Sequence, residues 1–401
     1  MSQRPGKNPY RPGVGMKPAF LAGREASLRR FDAILRAAPD QPANMRVTGL
    51  RGVGKTVLLA EFGERARAAG WSVAAIELAP RHATERALAD TLAAQVAETR
   101  AGLSRVARIK SALGHAGRAA ARLGVTYNDV KVSLDALGPS TPSSDTARSL
   151  SANLYEALAA ARKHEREGFL LLLDEAQGLR DERDRRGEHP LSLLISTVSA
   201  LQRTEPPLSM GLVLCGLPTL IGNLLRARSY TERMFRGEEV GRLDATAARA
   251  AFVEPLRDTG VAADEKLVTA VVEEVEGYPY FVQLWGAELW DAAQAAETNR
   301  FDLRLLKVVR PEIHRRLDVD FYAPRIDTLT PAEQDVLLGT AGCSYPPLRA
   351  EDLKNHVTKT PGNVNVLLGR LVDAGVLFRI RKGEYDYTAP KFRDYLKRRN
   401  A

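Results

Sequence analysis

The chain has 401 residues, 44% of them hydrophobic and 27% charged, the balance expected of a globular protein with two or three domains of about 150 residues. Two cysteines, Cys215 and Cys343, exclude a disulfide framework or a zinc cluster, and the aliphatic run 170–173 is far short of the roughly 20 residues a membrane helix needs. Arg4, Lys7 and Arg11 near the start flank no apolar segment, so a cytoplasmic location without membrane attachment is expected, and the net charge of +9 fits either polyanionic partners or a compositional habit of Arg- and Ala-rich chains.

Residues 1–22 read as an extended arm, rich in Pro, Gly and basic residues. A helical pattern begins at Gly23, with Leu28, Phe31, Ile34 and Leu35 on one face, and ends around Pro39. A short apolar strand over 45–49 runs into a glycine-rich turn, followed by a helix over 56–69, a strand over 71–78 and a helix over 84–98. This alternation predicts an α/β core over 23–243 with a mainly parallel sheet. Block 99–147 interrupts the rhythm and reads as a basic insertion. Its first part carries Arg100, Arg105, Arg108, Lys110, Arg118 and Arg122 without one acid. Residues 125–134 alternate like a strand pair, and 138–145 reads as a flexible connector. The core resumes with a helix over 149–163, a strand over 169–173 buried on both faces, and strands over 208–215 and 239–243. Helices over 246–258, 264–276, 281–296 and 303–319 then predict a helical lid and linker spanning 244–322. In 323–401, helices over 331–341, 350–357 and 363–374 precede strands over 376–381 and 384–388, the pattern of a winged-helix domain.

Gly49-Leu50-Arg51-Gly52-Val53-Gly54-Lys55-Thr56 fits G-x-x-x-x-G-K-[ST] without a mismatch. Phosphate oxygens must come close to backbone N–H groups there, and a Cβ would block the approach or the required φ. The helix starting at Lys55 and Thr56 adds the positive end of its dipole. Lys55 is expected to place a point charge on the β- and γ-phosphates of ATP, and the Thr56 hydroxyl to ligate Mg²⁺. The buried strand then delivers Asp174 beside the metal, with Glu175 next to it to polarise the attacking water. Alone, two acids ending a strand would read as solvated. After a phosphate loop in this order they read as the metal and water handlers of an ATP hydrolase.

The segments 49–56 and 170–175 resemble the Walker A and Walker B motifs of the AAA+ superfamily. The closer resemblance is to bacterial and archaeal ATPases related to the origin-recognition proteins and to the signal-transducing STAND/MNS group. Asn8-Pro9-Tyr10, Phe20-Leu21-Ala22-Gly23-Arg24-Glu25 and Gly277-Tyr278-Pro279-Tyr280-Phe281 are similar to the N-terminal entry and the lid turn of those proteins. The resemblance implies strand order 5-1-4-3-2 and nucleotide between core and lid, contacted by residues 49–57, that is Gly49 through Thr56 with Val57, and by Pro279. It also implies an oligomer or an assembly with a partner protein, with an arginine entering a neighbouring site; Arg233 is the candidate and Arg236 the second. No arginine occurs over 278–284, where origin-recognition ATPases place their lid sensor, and 215–219 offers only Thr219 as a polar sensor.

In the winged-helix reading, Val364, Leu367, Leu368, Leu371 and Val372 face the core and leave Asn363, Asn365 and Arg370 outward. Arg379, Arg381 and Lys382 lie on the wing, and Arg105 and Arg108 share a flank of the basic block. Amides and arginines on a helix with basic wing residues suit double-stranded DNA. The expected function is therefore an ATP-hydrolysing AAA+ switch acting on DNA, of initiator, transposition or defence type. The alternatives are a STAND-like signalling ATPase whose winged helix binds protein, and a nucleotide-dependent scaffold with negligible turnover.

Overall fold

The computed structural model describes residues 7–13, 15–113, 144–181, 188–205 and 207–400. The strand pair read over 125–134, most of the connector over 138–145, and Arg118 and Arg122 lie outside the described residues. The chain divides into two compact units, one of Arg24–Gly49 and Lys55–Val240, the other of Met1–Gly23, Leu50–Gly54 and Gly241–Ala401.

The first unit contains α1 (Glu25–Arg36), β1 (Ala43–Thr48), α2 (Lys55–Ala68), β2 (Ser72–Glu77), α3 (Glu85–Leu113), α4 (Ser144–Lys163), β3 (Phe169–Asp174), α5 (Pro190–Gln202), β4 (Met210–Gly216), α6 (Thr219–Ala227), α7 (Thr231–Met234) and β5 (Arg236–Glu239). The five strands form one parallel sheet in the order β2-β3-β4-β1-β5, which is the order 5-1-4-3-2 read from the other edge. Every residue of β3 and β4 is buried, because helices cover both faces of the sheet. Leu171, Leu173, Leu212 and Leu214 join a core with α3, α4 and α5, whereas α2 crosses the opposite face, where a Cβ on Gly63 would touch Leu172 and Val73. On α1, Leu28, Phe31, Ile34 and Leu35 are buried at helical spacing, and Phe31 stacks on Phe62 of α2 at 4.1 Å.

Several boundaries differ from the sequence reading, and α4 begins at Ser144 rather than at 149. The helix expected to stop at residue 98 continues to Leu113, held against α4 by an ion pair between Arg100 and Glu156. Leu103, Val106, Ile109 and Leu113 continue an apolar spacing of three to four residues through the basic stretch, a helical signal that the run of charge obscures. The last strand is Arg236–Glu239 rather than 239–243. As an edge strand paired only to β1, it buries Glu238 alone and carries no apolar signature.

The second unit contains α8 (Ala245–Val253), β6 (Ala262–Ala263), α9 (Glu265–Val275), α10 (Pro279–Ala295), β7 (Arg300–Phe301), α11 (Leu303–Arg316), a π-helical turn over Leu317–Tyr322, α12 (Ala323–Asp327), α13 (Pro331–Thr340), β8 (Leu348–Arg349), a 3₁₀ segment over Ala350–Asn355, α14 (Pro361–Asp373), β9 (Leu377–Arg381), β10 (Glu384–Tyr387) and α15 (Phe392–Asn400). The last three strands form an antiparallel sheet in the order β8-β10-β9. Residues 350–357 are thus a short 3₁₀ segment instead of a full helix, and β8 was not foreseen, since two residues give no periodic signal. A capping box of Thr330 and Glu333 starts α13, and Thr360 caps α14.

Among the described residues of the N-terminal segment, Asn8 and Tyr10 are anchored. Tyr10 is 3% exposed, its hydroxyl donates to the Phe252 carbonyl at 2.5 Å, and its ring lies so close to Gly286 that a Cβ there would approach within 2.3 Å. Asn8 Nδ2 donates to Asp291 at 2.9 Å.

Candidate functional site

The loop after β1 is shaped by its glycines. Gly52 and Gly54 adopt φ of +81° and +89°, a region that side chains with a Cβ avoid. The Gly49 N–H donates to the Gly216 carbonyl at 3.2 Å, tying the loop entry to the end of β4. Within the second unit, Gly52 lies against the Tyr278 ring and Gly54 against Pro279, the first residue of α10. Gly277, at φ +72°, could not carry a Cβ, which would sit 2.1 Å from the Leu243 carbonyl oxygen.

Lys55 opens α2 and is 6% exposed. Thr56 follows it, and its hydroxyl donates to Asp174 Oδ2 at 2.6 Å across 118 positions of sequence. Asp174 is buried at the C-terminal end of β3, and its other oxygen accepts the Glu175 N–H at 2.8 Å. A hydroxyl and a carboxylate converging at a helix N-terminus form a hard oxygen pair, the donor set that suits magnesium in a phosphate site. Glu175 is half-buried in the left-handed region at φ 54°, ψ 30°. A non-glycine residue costs about 1–3 kcal/mol there, and the turn carries the chain from the strand end into the 3₁₀ segment Ala176–Gly178.

Three participants were not legible in the sequence. Gln177 Nε2 donates to Glu175 Oε2 at 2.5 Å while its Oε1 accepts the Leu217 N–H at 3.0 Å. Cys215, fully buried on β4, has its thiol pushed well up, first by burial and then by the Asp174 carboxylate, with Lys55 opposing. In the second unit, Arg325 stacks on Phe321 at 3.8 Å, and its guanidinium pKa is lowered by burial and then by Arg51 of the loop. Only Gln177 had a signal, its position two residues beyond an acid pair.

The other candidates stand apart. Arg233 is exposed on α7, and Arg236 Nη2 donates to Gln41 at 2.8 Å. Val57 is half-buried on α2. Asn363, Asn365, Arg370, Arg379, Arg381 and Lys382 are all exposed, while Val364, Leu367, Leu368 and Leu371 are buried and Val372 half-buried. Arg381 is engaged by Glu384 through two bonds of 2.7 Å, Arg370 lies 3.9 Å from Glu333, and Arg379 donates to the Tyr385 hydroxyl at 3.0 Å. Arg105 lies on α3; the side chain of Arg108 is outside the described residues.

Residues 21–212, which hold the loop, the Thr56–Asp174 contact and Glu175, match the family model of the AAA ATPase domain. They form an AAA ATPase domain. Residues 319–396 match a second model, a domain of unknown function. Among solved structures, the chain is similar to a Walker-type ATPase of Pyrococcus abyssi, at 17% identity over 94% of this chain and 96% of that one, TM-score 0.54. It is also similar to the ORC2 protein of Aeropyrum pernix, solved in ADPNP–ADP complexes, at 13% identity over 96% and 95% of the two chains, TM-score 0.53. No curated protein matches the chain. The parallel sheet of this AAA domain is that of the P-loop AAA+ fold, which implies nucleotide binding. Among the described residues no helix is long and apolar enough to cross a membrane.

Proposed function

We propose that the protein is an ATP-hydrolysing AAA+ switch that acts on double-stranded DNA through a C-terminal winged helix. The observation that carries the hydrolytic part is the 2.6 Å contact between Thr56 and Asp174 beside Glu175. In this reading the glycine-rich loop and Lys55 bind the phosphates, and Thr56 with Asp174 hold magnesium. The metal would supply positive charge that neutralises the phosphates. Glu175 Oε2 is engaged by Gln177, and Oε1 is the atom assigned to take a proton from the attacking water. Water oxygen bonds to the γ-phosphorus, the β–γ bridge breaks, and the bridging oxygen leaves on ADP. ATP and ADP would favour different arrangements of the chain, the usual logic of a nucleotide switch. Arg233 is the candidate finger for a neighbouring copy, and its exposure on α7 is compatible with that role.

The DNA part rests on the net charge of +9 and on the exposed Asn363, Asn365, Arg379 and Lys382. A specific observation favours the rival reading, in which this surface binds protein. Glu384 neutralises Arg381, and Val366 of α14 and Ile380 of β9 are 57% and 51% exposed. ATP turnover measured with and without duplex DNA at two salt concentrations separates the two. Stimulation by DNA that fades with salt supports the first reading. Turnover indifferent to DNA supports the second.

A further inference from the structure

Just past β3, in the 3₁₀ segment Ala176–Gly178, one side chain is bonded at both ends of its amide. Gln177 spans from the Glu175 carboxylate, Nε2 to Oε2 at 2.5 Å, to the backbone just past β4, where its Oε1 accepts the Leu217 N–H at 3.0 Å. Its backbone carbonyl is held as well, by Asn223 Nδ2 of α6 at 3.0 Å, and the same Asn223 amide reaches the Leu179 carbonyl. The residue is therefore fixed at both ends. The fit is tight: a Cβ on Gly216 would stand 2.3 Å from Gln177 Oε1. Gly216 is also the residue whose carbonyl accepts the N–H of Gly49, the first residue of the phosphate loop.

We propose that Gln177 is the positioning residue for the water-activating glutamate, holding Glu175 through one end of its amide and the β4 exit through the other. The proposal rests on the reading of Glu175 as the base and deepens it. A carboxylate that swings freely spends little time aligned with a bound water, whereas one anchored at Oε2 keeps Oε1 in one direction. An amide is the side chain that can do this at both ends, since it donates to a carboxylate and accepts from a backbone N–H at once. A carboxylate at position 177 could still accept from Leu217 but would repel Glu175. An alanine would release the glutamate and leave the Leu217 N–H without this acceptor.

The experiment uses the full chain with ATP and magnesium and reads kcat, KM and direct nucleotide affinity. Gln177→Ala is expected to lower kcat by about tenfold or more, within the share ascribed to a positioned base, while affinity for ATP changes less than about twofold. Gly216→Ala, whose Cβ would stand 2.3 Å from the Gln177 amide oxygen, is expected to give the same kcat-selective loss. Gln177→Glu, whose carboxylate cannot donate to Glu175, is expected to lower kcat with KM little changed, a split that a merely structural role would not give. Glu175→Gln is measured in parallel. If it keeps full turnover, Glu175 is not the base and both readings fall. If it is inactive while Gln177→Ala and Gly216→Ala turn over within twofold of the parent, the base reading stands and the positioning role is overturned. Loss of ATP affinity equal to the loss of kcat would also overturn it.

Discussion

Thr56 and Asp174 illustrate how much chemistry a single contact concentrates. The hydroxyl that would face magnesium donates to the carboxylate that would share it, at 2.6 Å, so neither group has to travel far to bind the ion. Thr56→Ala removes one ligand and frees Asp174, and should weaken magnesium-dependent ATP affinity by about tenfold while leaving magnesium-free ADP affinity nearly unchanged. Titration of nucleotide affinity against magnesium checks this. Lys55 acts differently, as a buried cation opening α2. Lys55→Ala should reduce affinity for ADP and ATP alike, which isothermal titration can resolve. Glu274, in the second unit, carries a prediction about pH. Its carboxyl is held below the ordinary range chiefly by His314, whose Nε2 lies 3.7 Å away, with Arg310 at 3.2 Å adding to the effect against burial. A depressed folded-state pKa contributes stability above the unfolded value and loses it as pH falls through the folded one. Melting temperature should therefore drop more steeply below about pH 4.5 in the parent than in Glu274→Gln, which at pH 7 should already be about 1–2 kcal/mol less stable.

At the scale of elements, the anchored arm is the most exposed to test. Gly286 admits the Tyr10 ring only because it has no side chain. Gly286→Ala should cost about 1–3 kcal/mol from overpacking and open the segment around Tyr10 to limited proteolysis. An arm cleaved no faster than in the parent would show that the ring can move aside cheaply. The elements also show what a sequence can reveal. The strands β1 to β4, the helices α1, α2 and α4 and the loop 49–56 were legible because long apolar runs and glycine spacing are local signals, whereas α5 and α6 were not read. Strand β5 was displaced in the reading because an edge strand needs no apolar run, and α3 was read short because its run of basic residues reads as a break. The site followed the same rule. Thr56, Asp174 and Glu175 were readable from motif grammar. Gln177 and Arg325 were not, because their importance lies in bonds to Leu217 and in proximity to Arg51, contacts that exist only after folding.

For the whole molecule, the question is what the C-terminal surface meets. If it meets DNA, the logarithm of affinity should fall linearly with the logarithm of salt, and Lys382→Ala should reduce that slope by about 1. Arg381→Ala should change it less, since Glu384 already neutralises that guanidinium. Fluorescence anisotropy with a labelled duplex across salt concentrations measures both. Equal, negligible slopes for parent and variants would place the partner among proteins and give Val366 and Ile380 the leading role.

The central claim is that residues 21–212 form an AAA domain that hydrolyses ATP with Glu175 as its base. The most direct measurement is phosphate release from ATP and magnesium by the parent and by Glu175→Gln, paired with ATP affinity for each. The account predicts that the variant binds ATP as tightly as the parent and releases phosphate at least about a hundredfold more slowly. Equal release by the two proteins, or a parent that binds ATP and never cleaves it, would contradict it.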